Sequence, residues 1–293
     1  MDFLKYSKIY FIFSGSLILA SFIFLLVFGL KFGIDFKGGS ILEIEFVKKR
    51  PPLSELRDLL QKQIKKEFII QEAGKKGILI KAKEIDESLH QKILKALKKK
   101  GEIREKRFEM IGPAVGRELK RKTLIALIIA FIFITLYIAL AFRKATFLIS
   151  SWQYGLSALI ALFHDIFITC GIFALLGKFL NIEVNIPFVA ALLTILGYSI
   201  NDTIVVFDRC RENLKKRQED FKTILNISLS ETLARSLFTS LTTLLVLFAI
   251  LLFGGETLFS FVLTLIIGIS LGTYSSIFIA TPLCFLFSKK KVK

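Results

Sequence analysis

Apolar residues in this chain gather into long blocks separated by short, highly charged stretches. A hydrocarbon core about 30 Å thick takes roughly 20 apolar helical residues to cross. Residues 9–30 meet that length and lack the small-residue cleavage pattern of a removable leader. Residues 124–142, 187–207, 237–253 and 258–287 qualify as well. The stretch 147–176 is longer and interrupted, and reads as an amphipathic lead-in around Trp152 followed by a span from about Tyr154. Six spans result, and in lipid each must be helical, because every backbone polar group has to be satisfied within the segment.

Between the first two blocks the period changes. Residues 40–47 (SILEIEFV) alternate and predict a strand. Residues 53–66 repeat at helical spacing, with Leu53, Leu56, Leu59, Leu60 and Ile64 on one face and Ser54 or the preceding turn as cap. Two short strands at 67–72 and 77–83 flank Ala73-Gly74-Lys75-Lys76, a hairpin signal. A second amphipathic helix at 86–100 turns Leu89, Ile93, Leu94 and Leu97 inward, and 102–110 alternates again. The order β-α-β-β-α-β is the ferredoxin-like arrangement, with two helices on one sheet face. The predicted fold is therefore a membrane α-helical bundle of six transmembrane helices with an inserted external α+β ferredoxin-like domain. It divides into 1–30 (N-terminus and first helix), 31–122 (external domain), 123–288 (helices two to six) and 289–293 (a basic tail).

Charge sets the orientation. Lys5 and Lys8 precede the first span, Arg143 and Lys144 follow the second, and Arg209, Arg211, Lys215, Lys216, Arg217, Lys222 and Arg235 cluster after the fourth. Lys289, Lys290, Lys291 and Lys293 end the chain, whereas the connections at 177–186 and 254–257 carry few charges. Basic residues in short loops mark the inner side, so both termini are expected in the cytoplasm. The 92-residue segment 31–122 holds 25 Lys plus Arg against 14 Asp plus Glu, but it is too long for its charge to retain it inside. Placed outside, it meets little nucleic acid, and its charge reads as a solvated surface. Cys170, Cys210 and Cys284 all lie outside it, so it has no disulfide framework. His90, on a Lys-rich helix, is expected at the surface.

The candidate chemistry lies inside the membrane. In the fourth span Thr194, Gly197, Tyr198, Asn201 and Asp202 recur at three- and four-residue steps and form one small, polar face. An Asp at mid-bilayer costs about 2.5–3.5 kcal/mol on insertion scales, which makes it a functional residue by default. Burial and a nearby cation act oppositely on such a carboxyl, which allows reversible protonation; the alternative is a purely structural pairing. His164-Asp165 in the third span either extends a proton path or bonds helices together. Arg235 reads as an interfacial anchor at the start of the fifth span, or as a mobile counter-ion for Asp202. Gly268-x-x-x-Gly272-x-x-x-Ser276 permits close packing within the bundle or against a second subunit. No P-loop, metal-ligand spacing or nucleophile–base set appears, so neither an enzyme nor a cofactor is expected.

The stretch 197–213, GYSINDTIVVFDRCREN, closely resembles the signature of the SecF family. GIDFKGGS (33–40), IGPAVGREL (111–119), LFHDIFIT (162–169) and ETLARSLFTSLTTLL (231–245) agree with it in the right order, so the resemblance covers nearly the whole chain. Lys37 departs from the small or polar residue the family often has there. The resemblance implies a subunit of a proton-driven complex in the bacterial cytoplasmic membrane that assists export. Its partners would be SecD, the SecYEG channel and the unfolded polypeptide in transit, in addition to membrane lipid. By motif position it makes Asp202 the relay carboxylate, with Asn201 beside it and Arg235 as its partner arginine. The relay's second carboxylate would belong to SecD, and the short chain looks like the separate-subunit form. A small-molecule or lipid exporter, and a scaffold that only stabilises SecD or the channel, are the competing readings.

Overall fold

The computed structural model describes residues 2–64, 67–142 and 151–288. Arg143, Lys144 and the basic tail from Lys289 fall outside the described residues. The chain divides into two compact units, one of Met1–Lys31 with Ile125–Lys293 and one of Phe32–Leu124.

In the smaller unit a single helical turn, α2 (Ile34–Lys37), leads into β1 (Gly39–Phe46). Helix α3 (Leu53–Gln61), strands β2 (Phe68–Ala73) and β3 (Gly77–Ala82), helix α4 (Glu87–Lys98) and strand β4 (Ile103–Ile111) follow. The sheet order is β2-β3-β1-β4 and every pairing is antiparallel. Leu42, Ile44 and Phe46 of β1 alternate inward and meet Leu56 and Leu60 of α3 and Ile93 and Leu97 of α4, so both helices cover the same sheet face. Asp86 caps α4 by accepting from the Leu89 amide at 2.9 Å. By contrast, α3 begins after Pro52 without a side-chain cap, so Ser54 does not serve as one. Gly74 turns the β2–β3 hairpin at φ 66°.

His90 overturns its expectation: it is 4% exposed. It lies three residues before Ile93 and seven before Leu97, which puts it on the inner face of α4. There its ring stacks on Phe108 of β4 at 3.9 Å between centroids, with Nδ1 and Nε2 each 3.3 Å from Glu87 and Glu105. His90→Ala is expected to lower the stability of this unit by about 1–3 kcal/mol, while His90→Phe keeps the stacking. Hydrogen exchange of the β4 amides in the full chain measures both.

Two of the sequence motifs meet in this unit. Gly38 sits at φ 76°, and a Cβ there would lie 2.8 Å from Pro113 Cα. A Cβ on Gly116 would in turn lie 3.0 Å from the Gly38 nitrogen. The pair of glycines lets the GIDFKGGS turn and the IGPAVG turn pack backbone on backbone. Lys37 points outward, which is why its departure from the usual residue is tolerated.

The larger unit begins with a 3₁₀ turn (Phe3–Tyr6) and α1 (Ser7–Val27). It continues through α5 (Pro113–Ala141, shared with the smaller unit), α6 (Ser151–Phe179), α7 (Ile186–Lys216), α8 (Phe221–Phe253), α9 (Glu256–Ser275), a π turn (Ser276–Ala280) and α10 (Thr281–Ser288). Among the described residues, six helical segments are long and apolar enough to cross a membrane. Trp152 and Tyr154 both lie in one continuous α6 that opens at Ser151, and residues 147–150 of the expected lead-in are outside the described residues. Helices α6, α7 and α9–α10 form the buried centre, while α1, α5 and α8 turn most of their apolar side chains outward, as lipid or a partner requires.

Helix α8 opens sixteen residues before the predicted start at 237. Arg235 is therefore inside a continuous helix and not at its beginning. Helix α7 is capped by Asn185, which accepts from the Phe188 amide at 3.0 Å, and α8 by Asp220. Asp2 accepts from Lys222 at 2.8 Å and from Asn226 at 3.0 Å, which docks the N-terminal turn on the first turn of α8.

The last span keeps one close seam. Ser260, Thr264, Gly268, Gly272, Ser276, Ala280, Cys284 and Ser288 follow at four-residue steps and all are buried. A Cβ on Gly268 would lie 2.1 Å from Ile195 Cδ1, and one on Gly272 would lie 2.9 Å from Ser199 Cβ, so this row packs on α7 within the bundle. A regular helix carries such a row round by about 40° per four-residue step; the wider π turn takes back part of that drift. Pro282 explains the turn's place, because it has no N–H to give the Phe278 carbonyl and its ring crowds that group.

Candidate functional site

Two buried carboxylates stand near the middle of the bundle and are wired differently. Asp165 of α6 is 0% exposed. Its Oδ2 accepts from Ser199 Oγ of α7 at 2.6 Å and from Ser275 Oγ of α9 at 2.8 Å, and its Oδ1 lies 2.9 Å from His164 Nδ1. This carboxylate pins three helices. Asp202 of α7 is 2% exposed and is approached by Ser240 Oγ of α8 at 3.5 Å, the outer limit of a hydrogen bond. The Ser240 hydroxyl is 2.6 Å from Thr273 Oγ1 of α9, a much closer partner.

The two sites share helices. Ser199 and Asp202 are one turn apart on α7, and Thr273 and Ser275 are two residues apart on α9 just before the π turn. A ring therefore runs from Asp165 through Ser199 and α7 to Asp202, on through Ser240 to Thr273, and along α9 to Ser275 and back to Asp165. Four helices are tied at one level. Next to it the Tyr274 ring lies over His164, and its hydroxyl is 3.1 Å from Ser14 of α1. His164 Nε2 and Ser236 Oγ are buried with no hydrogen-bond partner among the described residues.

The sequence-predicted face on α7 splits. Asp202 turns into the bundle, whereas Thr194, Gly197 and Asn201 line the exposed side and Tyr198 stands between, its hydroxyl 3.3 Å from Thr243 Oγ1. Asn201 is thus separated from the buried site. Arg235 is also exposed, on the outer side of α8. Asp202, Asp165 and His164 come together and Asn201 does not join them, whereas the exposed Arg235 stands near enough for its charge to act on Asp202. Sequence reasoning missed Ser199, Ser240 and Ser275, all hydroxyls on predicted spans, where a serine more often bonds its own helix.

At the charged end of α7 and α8, Glu231 accepts from Arg209 Nε at 2.7 Å and from Asn213 Nδ2 at 2.8 Å, and Arg217 lies 3.4 Å away. Asn213 Nδ2 also donates to Ser228 Oγ at 3.0 Å. Much of the basic cluster there is therefore paired, and Glu231 stays inside the helix because these groups satisfy it.

Residues 90–290 match the family model described as protein export membrane protein SecD/SecF, C-terminal, and residues 23–49 match the SecD/SecF GG motif. This chain belongs to the SecD/SecF family. The protein translocase subunit SecF of Thermobaculum terrenum is 40% identical over 304 aligned positions, which take in 99% of this chain and 95% of the relative. That of Sebaldella termitidis is 39% identical over 300, covering 99% and 93%. Among solved structures, SecDF from Thermus thermophilus, described as a translocon-associated membrane protein, superposes with a TM-score of 0.83 at 32% identity. SecDF in a super-membrane-facing form gives 0.70 at 31%. In both cases the match takes in 99% of this chain but 39% of the other, which is much longer. The SecD/SecF GG motif contains Gly38 and Gly39, at φ 76° and 144°, the two glycines before β1. The family's description and the six apolar helices together make this a multi-pass membrane protein.

Proposed function

We propose that the chain works as the SecF-type subunit of a proton-driven complex that assists protein translocation through the Sec channel, with Asp202 taking up and releasing the proton. The observation that carries this reading is the contrast between the two carboxylates. Asp165 has three close partners, while the buried Asp202 carboxylate meets hydroxyls that are engaged elsewhere, Ser240 at 3.5 Å and Thr273, which bonds Ser240 and the Ile269 carbonyl. A carboxyl so loosely held can change its protonation at small structural cost; one fixed by three bonds from three directions cannot. Asp165 is the fixed member and Asp202 the working one.

SecD, as the second half of the complex, would bring the other relay carboxylate and a cover for the exposed α7 face of Thr194, Gly197 and Asn201. Arg235 on the outer side of α8 would swing toward Asp202 when the carboxylate is charged. Both termini lie in the cytoplasm in this reading, which the contact of Asp2 with Lys222 and Asn226 supports by placing the N-terminus beside the basic α7–α8 connection. The inserted domain then lies outside as a ferredoxin-like unit, consistent with its β2-β3-β1-β4 antiparallel order, where it would meet the emerging unfolded polypeptide together with the SecD domains. The chain is a motor part and not an enzyme.

Because half the relay belongs to SecD, this chain alone is expected to give no gradient-driven export. Vesicles containing the Sec channel with this chain alone, with SecD alone and with both, compared with and without an uncoupler, test this. An uncoupler-sensitive export signal from this chain alone overturns it.

A further inference from the structure

Helix α8 carries a file of hydroxyls of which the ring around Asp202 takes in only one, Ser240. Ser228, Thr232, Ser236 and Ser240 follow at four-residue steps, and all four are buried. The file has two polar ends. At one, Ser240 approaches the Asp202 carboxylate. At the other, Ser228 accepts from Asn213, which also donates to Glu231, where Arg209 and Arg217 gather. On α7 the row between these ends is apolar, with Val206 and Cys210 buried between Asp202 and Asn213. The hydroxyls of α8 therefore make the polar connection.

Ser228 and Thr232 donate to carbonyls one turn back, at 2.7 and 2.9 Å, and keep their lone pairs as acceptors. Ser236 is different. It is 2% exposed and its Oγ has no hydrogen-bond partner among the described residues. A buried hydroxyl without a partner is unfavourable unless water reaches it. Successive hydroxyls rise by about 6 Å along the helix. That is too far for a direct hydrogen bond but is spanned by one bridging water with two bonds of about 2.8 Å.

We propose that this file, hydrated at Ser236, is the path by which a proton passes between Asp202 and the aqueous side that bears Arg209 and Glu231. The inference rests on the reading of Asp202 as the proton carrier. Protonated Asp202 gives its proton to the first water while its own O–H bond breaks. Each water in turn forms one O–H bond and breaks another, and the last releases the proton to solvent, leaving Asp202 a carboxylate. Asp165 is tied to Ser199 and Ser275 on the far side of α7 and stays out of the path, and the Arg235 side chain lies on the outer face of α8.

The test uses this chain with SecD in inverted vesicles, so that the basic side faces the medium, in a background with Cys170, Cys210 and Cys284 replaced by alanine. Ser236→Cys is expected to react with a small, membrane-impermeant methanethiosulfonate. Leu247→Cys, also on α8 and at 7% exposure no more deeply buried, but beyond Asp202, is expected to react far more slowly. Ser236→Ala is expected to lower uncoupler-sensitive export about tenfold, the rate equivalent of one lost hydrogen bond, and Ser236→Thr to retain it. Equal, slow reaction at both cysteines overturns the proposal, and so does wild-type export by Ser236→Ala. The thiol reaction reports water whether or not Asp202 carries a proton. A dry file is therefore distinguished from a failed relay, which Asp202→Asn addresses by itself.

Discussion

Asp202→Asn is expected to reduce export to the level seen with an uncoupler while leaving co-purification with SecD unchanged. A proton crossing the membrane potential releases about 2.3 kcal/mol per 100 mV, and that energy is usable only through a group whose charge alters the preferred packing of the helices. Asparagine keeps the shape and the acceptor for Ser240 but holds the site permanently neutral. Arg235→Ala is expected to give the same loss, because the charged state of Asp202 then lacks its cation. Asp165→Asn should behave differently. It weakens the bonds from Ser199 and Ser275 and so loosens the joint of three helices, with a loss of thermal stability in detergent preceding any loss of coupling. If Asp202→Asn keeps the uncoupler-sensitive fraction, the carboxylate is structural.

Within the helical bundle the largest expected effect on stability is at Gly171. A Cβ there would lie 2.3 Å from Ser21 Cβ and 2.6 Å from Ser21 Cα, and a backbone atom cannot swing aside as a side chain can. Gly171→Ala must push α1 away from α6, and overpacking of this kind costs about 1–3 kcal/mol. Gly268→Ala should cost less, although its nearest atom is closer, because the atoms it meets, Ile195 Cδ1, Cγ1 and Cγ2 at 2.1, 2.4 and 2.9 Å, all belong to a side chain and none to the backbone. Gly15→Ala, on the same α1 with nothing within 4 Å, is the neutral control. Unfolding midpoints of the three variants in one detergent should fall in that order. Ser21→Gly should restore part of the loss from Gly171→Ala and not all of it, since the Cα remains. A Gly171→Ala midpoint equal to that of Gly15→Ala would show that α1 and α6 are farther apart than described.

Much of this fold could be read from the residues because lipid and sheet each impose a simple rule. Unbroken apolar length gave the spans, and the alternation of Leu42, Ile44 and Phe46 gave β1. The failures arose where a local rule met a tertiary partner. Arg235 looked like the edge of a span, yet α8 runs through it and back past Glu231, which Arg209 and Asn213 of another helix satisfy. His90 was judged by its lysine neighbours, although its spacing to Ile93 and Leu97 already placed it inward. In the site, Asp202 and Asp165 are conspicuous as charges in apolar helices. Which serine faces which carboxylate depends on how α7, α8 and α9 rotate against one another, and periodicity within a single helix carries no information about that.

The row of small residues along the last span has a mechanical meaning. Helices joined by interlocking ridges must climb over one another's side chains to move lengthwise. Here the last span offers small residues that recur every four positions, or about 6 Å of travel, and α7 sets the Ile195 side chain into the gap at Gly268. A displacement by one such step sets glycine, serine or alanine where another small residue stood before. Even so, α7 and the last span are held in one register, by the Ile195 side chain seated over Gly268 and by the bonds of Ser199 and Ser275 to Asp165.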